Sequence, residues 1–428
     1  MIRLPAATCV RLTVYVALAW IVGSPTLFAQ SSSSGGGGWQ ADPELIESLS
    51  KKRTDFNYRE QNVPDFELPD PLRRSDGNGR VQSAQQWSQE RRPVLLQTFR
   101  DHVYGNRPDT EFEISYEIVQ EESNAFDGTA IAKQVRATID RNGKSLSFDF
   151  VMCIPKSERP VPAIVHINNR YFLSLDQILA DEDPFWPAKT IVSRGYATAS
   201  FHTKHVDPDR RDGYDEGVRA LLDDGDSDPM SRWKSLSAWG WAGSRVLDYV
   251  LRQDGIADSG HAIVGHSRGG KTALWAAAED ERFAVAYSND SGCGGAALSR
   301  RAFGETVARI NRSFPYWFCD RFKTYNDRVN ELPIDQHDLI ALIAPRRVYV
   351  ASADQDLWAD PRGEYLSVVS AAPVYQLFGK ETIQRRSMPK LDSPRHTEAT
   401  GYHIRRGEHN LKHQDWGYFL DFLDAKHN

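Results

Sequence analysis

Apolar and polar positions alternate along residues 112–119 and 131–139, and a third apolar-rich run covers 146–153. A period of two predicts strands with one buried face. Arg141-Asn142-Gly143-Lys144 separates the second run from the third, and Asn-Gly between two such runs predicts a tight hairpin. The rhythm then changes. Residues 163–167, 197–201, 262–264, 284–288 and 347–351 are short, continuous apolar runs, most of them separated by helical stretches such as 234–252 and 272–279. Parallel strands buried on both faces, with crossover helices, read this way. A helix is also predicted over 85–103, with Trp87, Leu95, Leu96 and Phe99 on its apolar face, and a last one over about 415–425. The pattern predicts one three-layer α/β/α domain over 85–428, its central sheet mostly parallel with antiparallel N-terminal strands. No internal repeat interrupts it.

Composition supports a single large core: 428 residues, 40% hydrophobic and 11% aromatic. A net charge of −6 gives no electrostatic case for nucleic acid or for a membrane surface. Residues 1–29 read as a secretory signal peptide, with Arg3 and Arg11 as the basic region ahead of an apolar run over 12–22. That run is too short for a membrane span, so export to a bacterial periplasm or beyond is expected, with no membrane association once the signal is removed. Residues 30–38 form a Ser/Gly linker, and 39–84 are polar and rich in Pro and Arg, predicted to wrap the domain without a core of their own. Cys9 falls in the signal. Cys153, Cys293 and Cys319 remain, and both a Cys293–Cys319 disulfide and three buried thiols are open readings. No Cys/His spacing suggests a metal site.

The chemistry centres on Gly265-His266-Ser267-Arg268-Gly269, between the apolar run ending at Val264 and a helical run from Gly270. In the strand–turn–helix context, G-x-S-x-G is a nucleophile elbow and predicts an α/β-hydrolase fold with Ser267 as nucleophile. A serine hydroxyl needs a base. His409 lies in a loop between an apparent strand and the last helix, and His413 at the helix start is the second choice. The acid has two candidates at strand ends, Asp356 and Asp290, with Asp354 a third. The backbone N–H of Arg268 is the expected oxyanion donor, and its permanently charged side chain can reach the same oxygen. Lys271 lies one helical turn on. Two cations at a helix N-terminus suit an anionic transition state and an acidic or hydroxyl-rich acyl group.

Gly265–Lys271 taken with Asn289-Asp290-Ser291-Gly292-Cys293-Gly294-Gly295 resembles the bacterial glucuronoyl esterases of carbohydrate esterase family 15. Ala238-Trp239-Gly240-Trp241-Ala242, Ser244-Arg245, Asp248-Tyr249, Arg194-Gly195-Tyr196-Ala197, Val103-Tyr104-Gly105, Asp356-Leu357-Trp358-Ala359-Asp360-Pro361 and Gly407-Glu408-His409 agree, so the resemblance spans roughly 85–425. It implies hydrolysis of esters between 4-O-methyl-glucuronic acid on xylan and lignin alcohols, without a cofactor. The implied partners are glucuronoxylan or lignin–carbohydrate complexes and glucuronate esters, and a monomer is expected. The resemblance further implies Ser267 as nucleophile, His409 as base, Arg268 at the oxyanion, Lys271 and Glu305 on sugar hydroxyls, and Trp358 against the uronate ring. Phe172 and His202 lie in loops that could line the pocket. Two positions depart from the pattern. His266 stands where fungal members carry a disulfide-forming cysteine, and Asp290 where the family usually has glutamate. The shorter carboxylate favours Asp356. The rival readings are another exported esterase on this fold, such as an acetyl xylan esterase, and a non-catalytic carbohydrate-binding protein.

Overall fold

A computed structural model describes residues 38–425 apart from 75, 226 and 227; the expected signal peptide and most of the linker lie outside the described residues. Ten strands form one sheet: β1 (Glu113–Asn124), β2 (Ala130–Arg141), β3 (Lys144–Pro155), β4 (Ala163–Asn168), β5 (Ala197–His202), β6 (His261–His266), β7 (Phe283–Asn289), β8 (Arg347–Ala353), β9 (Arg395–His396) and β10 (Thr400–Arg405). Their order is β1-β2-β3-β5-β4-β6-β7-β8-β10-β9. β1, β2, β3 and β5 pair antiparallel, β5 through β10 pair parallel in the sheet's middle, and short β9 closes the far edge antiparallel. This is an α/β-hydrolase sheet with antiparallel N-terminal strands.

The local chemistry of the chain accounts for the pairing. Arg141 pairs with Lys144 across Asn142 (φ 51°) and Gly143 (φ 73°), the two left-handed residues that a hairpin turn of matching twist requires. In the central strands, alternate residues go to opposite layers. Val165, Ile167 and Ile263 face one core, with Trp239 and Leu274 from the helices covering that side; Ile164, Ala262 and Val264 face a second core with Trp416 and Phe419. Strands apolar on both faces therefore report two helical layers. The helical stretch predicted over 85–103 is continuous over 84–104, partly as π-helix.

The segment before residue 85 packs its apolar side chains on the main domain. Helix α1 (Pro43–Lys52) and the chain after it build a small apolar cluster jointly with the main domain. Tyr58 and Val63 bury themselves with Phe303 and Leu357, flanked by Trp39, Leu45, Leu49, Phe56 and Trp358. Sequence patterning missed this because half of the cluster comes from loops 240 or more residues away. Cys153, Cys293 and Cys319 are all free and buried, so no Cys293–Cys319 bond forms. Among the described residues, no helix is long and apolar enough to cross a membrane.

Candidate functional site

β6 runs directly into helix α2 (Arg268–Glu279), and Ser267 is the one residue between them. Its backbone sits at φ 56°, ψ −122°, a region costly for a side-chain-bearing residue. The turn holds because its neighbours lack side chains. A Cβ on Gly265 would lie 2.1 Å from the Gly269 carbonyl oxygen, and one on Gly269 would lie 3.0 Å from the Ile167 carbonyl oxygen. The strain lifts a half-buried hydroxyl to the end of a helix whose first N–H groups have no partner within the helix.

The strand ends on one side supply the proton-handling groups. His409 follows β10 and is exposed; its Nδ1 lies 2.6 Å from Asp356 Oδ2, on the loop after β8. The imidazole ring of His409 is 4.4 Å from that of His266, the residue preceding Ser267. His266 is itself buried, with Nδ1 2.6 Å from Asn289 Oδ1. Burial, then the neighbouring His409, push its pKa well below the usual imidazole value, which keeps His266 neutral.

Asp290, at the end of β7, stands close but has different partners. Its carboxylate, that of Asp356 and the His409 ring nitrogen lie within 4.8 Å of one another. Asp290 is fully buried, adopts φ 45°, and one oxygen, Oδ1, has no hydrogen-bond partner among the described residues. The other accepts from the Asn410 N–H at 3.3 Å and lies 3.5 Å from the Arg405 guanidinium. Burial raises its pKa well above the usual carboxylate value and the charge of Asp356 adds to this, against Arg405. Asp354 caps the His409 loop by accepting from the Gly407 N–H at 2.7 Å, and His413 is exposed at the start of helix α3 (His413–Asp424).

Arg405 is a residue that sequence reasoning passed over. Fully buried, it is gripped by Asp415 through Nε at 2.7 and 2.8 Å, and it donates to the backbone carbonyls of Arg406, Glu408 and Asn410. It therefore ties the turn carrying His409 to the last helix. An arginine at the end of the apparent strand before His409 is the signal available from sequence, since such a charge, once buried, must be paired.

Lys271, one turn along α2 from Ser267, gathers the polar groups that the sequence assigns to the acyl half. Lys271 is buried; Nζ donates to the Ser291 carbonyl, and burial lowers its pKa against the attraction of Glu305. Burial raises the pKa of Glu305, while Lys271 and a hydrogen bond from Trp358 oppose this. Trp358 is half-buried, with the Arg53 guanidinium 4.2 Å from its ring centre and Phe56 edge-on at 4.8 Å. One wall of this region thus comes from the N-terminal segment, which sequence reading had left at the surface. Arg268 pairs with Asp209. Phe172 packs on His205 at 5.4 Å, and His202 is buried with Nδ1 3.2 Å from the Asn168 carbonyl oxygen, its pKa pushed down to about 4 by burial. His202 is therefore a neutral histidine tied to the end of β4.

An α/β-hydrolase sheet that raises a serine on such an elbow, with an imidazole–carboxylate pair on adjoining strand ends, belongs with the serine-dependent ester hydrolases. The family model for glucuronyl esterases of fungi matches residues 137–379, more than half of the chain. Carbohydrate esterase MZ0003, from an unknown prokaryotic organism, is 36% identical over 417 residues, which cover 90% of this chain and 94% of that protein. The 4-O-methyl-glucuronoyl methylesterase of Schizophyllum commune is 26% identical over 73% of this chain and 74% of its own. Among solved structures, the glucuronoyl esterase from Solibacter usitatus superposes with a TM-score of 0.78 at 34% identity, over 85% of this chain and 98% of that one. The chain belongs to the glucuronoyl esterases, carbohydrate esterase family 15, and is a carboxylic ester hydrolase.

Proposed function

We propose that this esterase cleaves esters of 4-O-methyl-glucuronic acid on glucuronoxylan, including those to lignin alcohols, through Ser267, His409 and Asp356. The observation that carries the reading is the 2.6 Å contact of His409 Nδ1 with Asp356, which directs Nε2 as the free proton acceptor. His409 takes the proton of Ser267 as Oγ attacks the uronoyl carbonyl. The tetrahedral oxyanion lies against the unpaired Arg268 N–H at the helix N-terminus and the Arg268 guanidinium. His409 then gives its proton to the departing alcohol. A water, deprotonated by the same imidazole, attacks the acyl-enzyme; the acyl–Oγ bond breaks, His409 returns the proton to Ser267 Oγ, and glucuronate leaves.

Specificity resides on the acid half. Lys271 and Glu305 present a donor and an acceptor for sugar hydroxyls, and Trp358 fixes Glu305 while contacting the ring. The relatives named 4-O-methyl-glucuronoyl methylesterases support this substrate class, and residues 1–29 support action outside the cytoplasm. Ser267→Ala is expected to abolish turnover of benzyl glucuronate, by roughly 10⁵-fold or more, with the thermal melt unchanged. Retained turnover refutes the assignment. Matched galacturonate and acetyl esters test the acyl preference, with glucuronate expected to give the highest kcat/KM.

A further inference from the structure

Arg268 is held in place by a cluster drawn from two distant loops. Asp209, in the loop after β5, has a side chain only 2% exposed. One oxygen, Oδ2, accepts from Arg268 Nη1. The other, Oδ1, accepts from Trp317 Nε1 at 2.8 Å and from the Tyr316 hydroxyl at 3.0 Å. The Trp317 ring also lies beneath the guanidinium, 5.1 Å from its carbon, and is itself stacked on Phe314 at 3.7 Å. The Arg268 Nε has no partner among the described residues.

We infer that Asp209 is a positioning residue for the oxyanion site, acting through Arg268 and carried by Tyr316 and Trp317. The physical reason is conformational. A free arginine side chain spreads over many rotamers, and ordering it costs conformational entropy. A donor that must be ordered at the moment of reaction contributes correspondingly less to the transition state than one already in place. Here one edge of the guanidinium is taken by a carboxylate and one face by an indole, while the carboxylate is fixed by two donors of its own. The remaining N–H groups are left for an oxygen that gains charge at Ser267. The aspartate also accounts for its own burial, since Arg268 is the cation that compensates it. The inference rests on the oxyanion role proposed for Arg268, and the experiment separates the two.

The test is a double-mutant cycle on a methyl or benzyl glucuronate ester, with melting temperature recorded for each variant. Asp209→Asn is expected to lower kcat about tenfold with KM changed less than about twofold, because the loss falls in the transition state. In an Arg268→Ala background the same substitution is expected to change kcat less than about twofold. An equal loss in both backgrounds, or wild-type kcat in Asp209→Asn, overturns the inference while leaving Arg268 at the oxyanion. Wild-type kcat in Arg268→Ala removes the oxyanion role itself, and the inference with it. If Asp209→Asn does not fold, Trp317→Phe removes the 2.8 Å donor and keeps an aromatic face beneath the guanidinium. Lowered kcat at unchanged KM then supports the inference, and unchanged kcat overturns it.

Discussion

Two carboxylates reach the same imidazole neighbourhood from adjacent strands, and their surroundings differ. Asp356, on the loop after β8, gives one oxygen to His409 Nδ1 at 2.6 Å. Asp290, at the end of β7, is sealed from solvent, meets a backbone N–H at 3.3 Å and a guanidinium at 3.5 Å, and leaves an oxygen unpartnered. Burial and the charge of Asp356 both favour its protonated form. Proximity alone does not select the acid. The carboxylate seated on His409 Nδ1 is the one placed to stabilise that imidazole as it becomes cationic. Asp290 then reads as a packing partner of the His409 turn, through Asn410 and Arg405.

The contrast breaks most sharply under Asp356→Asn. This substitution removes the charge facing His409 and is expected to lower kcat about a thousandfold, measured on benzyl glucuronate at neutral pH. Asp290→Asn should cost less than about tenfold, because the amide resembles the protonated acid that burial already favours. A larger loss for Asp290→Asn than for Asp356→Asn reverses the two roles.

Glu364, on helix 361–370, joins the two regions and sharpens the comparison at smaller scale. It accepts from the Ser291 and Gly292 N–H groups at 2.8 and 2.9 Å, next to Asp290, and from the Ser352 hydroxyl at 2.6 Å, on the strand leading to Asp356. Burial pushes its pKa from 4.5 up to about 8. A carboxyl raised in the folded state adds stability in its protonated form, complete below about 4.5 and lost as pH rises through about 8. Glu364→Gln is therefore expected to flatten the decline in melting temperature between pH 5 and pH 8.5, followed by calorimetry. An equally steep decline in the variant shows that other groups govern it.

Much of the site was legible along the chain because its constraints are local. The turn at Ser267 needs glycine two residues before and after, whatever the rest of the fold does. The hairpin at Asn142-Gly143 and the doubly apolar strands β4, β6 and β8 are likewise written within a few residues. The pairing of Asp209 with Arg268, the hold of Arg405 on the His409 turn, and the packing of Arg53 and Phe56 on Trp358 were not legible. Each joins residues 59 or more positions apart or depends on burial that no local pattern shows, as the buried Arg405 illustrates.

By itself the sequence determined where strands, elbow and candidate acid–base residues fall, because periodicity, turn chemistry and backbone sterics act over short distances. Only the tertiary structure decided which carboxylate meets His409, which acid holds Arg268, and that the N-terminal segment packs on Trp358. Those outcomes depend on desolvation and on contacts that exist once the sheet has brought distant strand ends together.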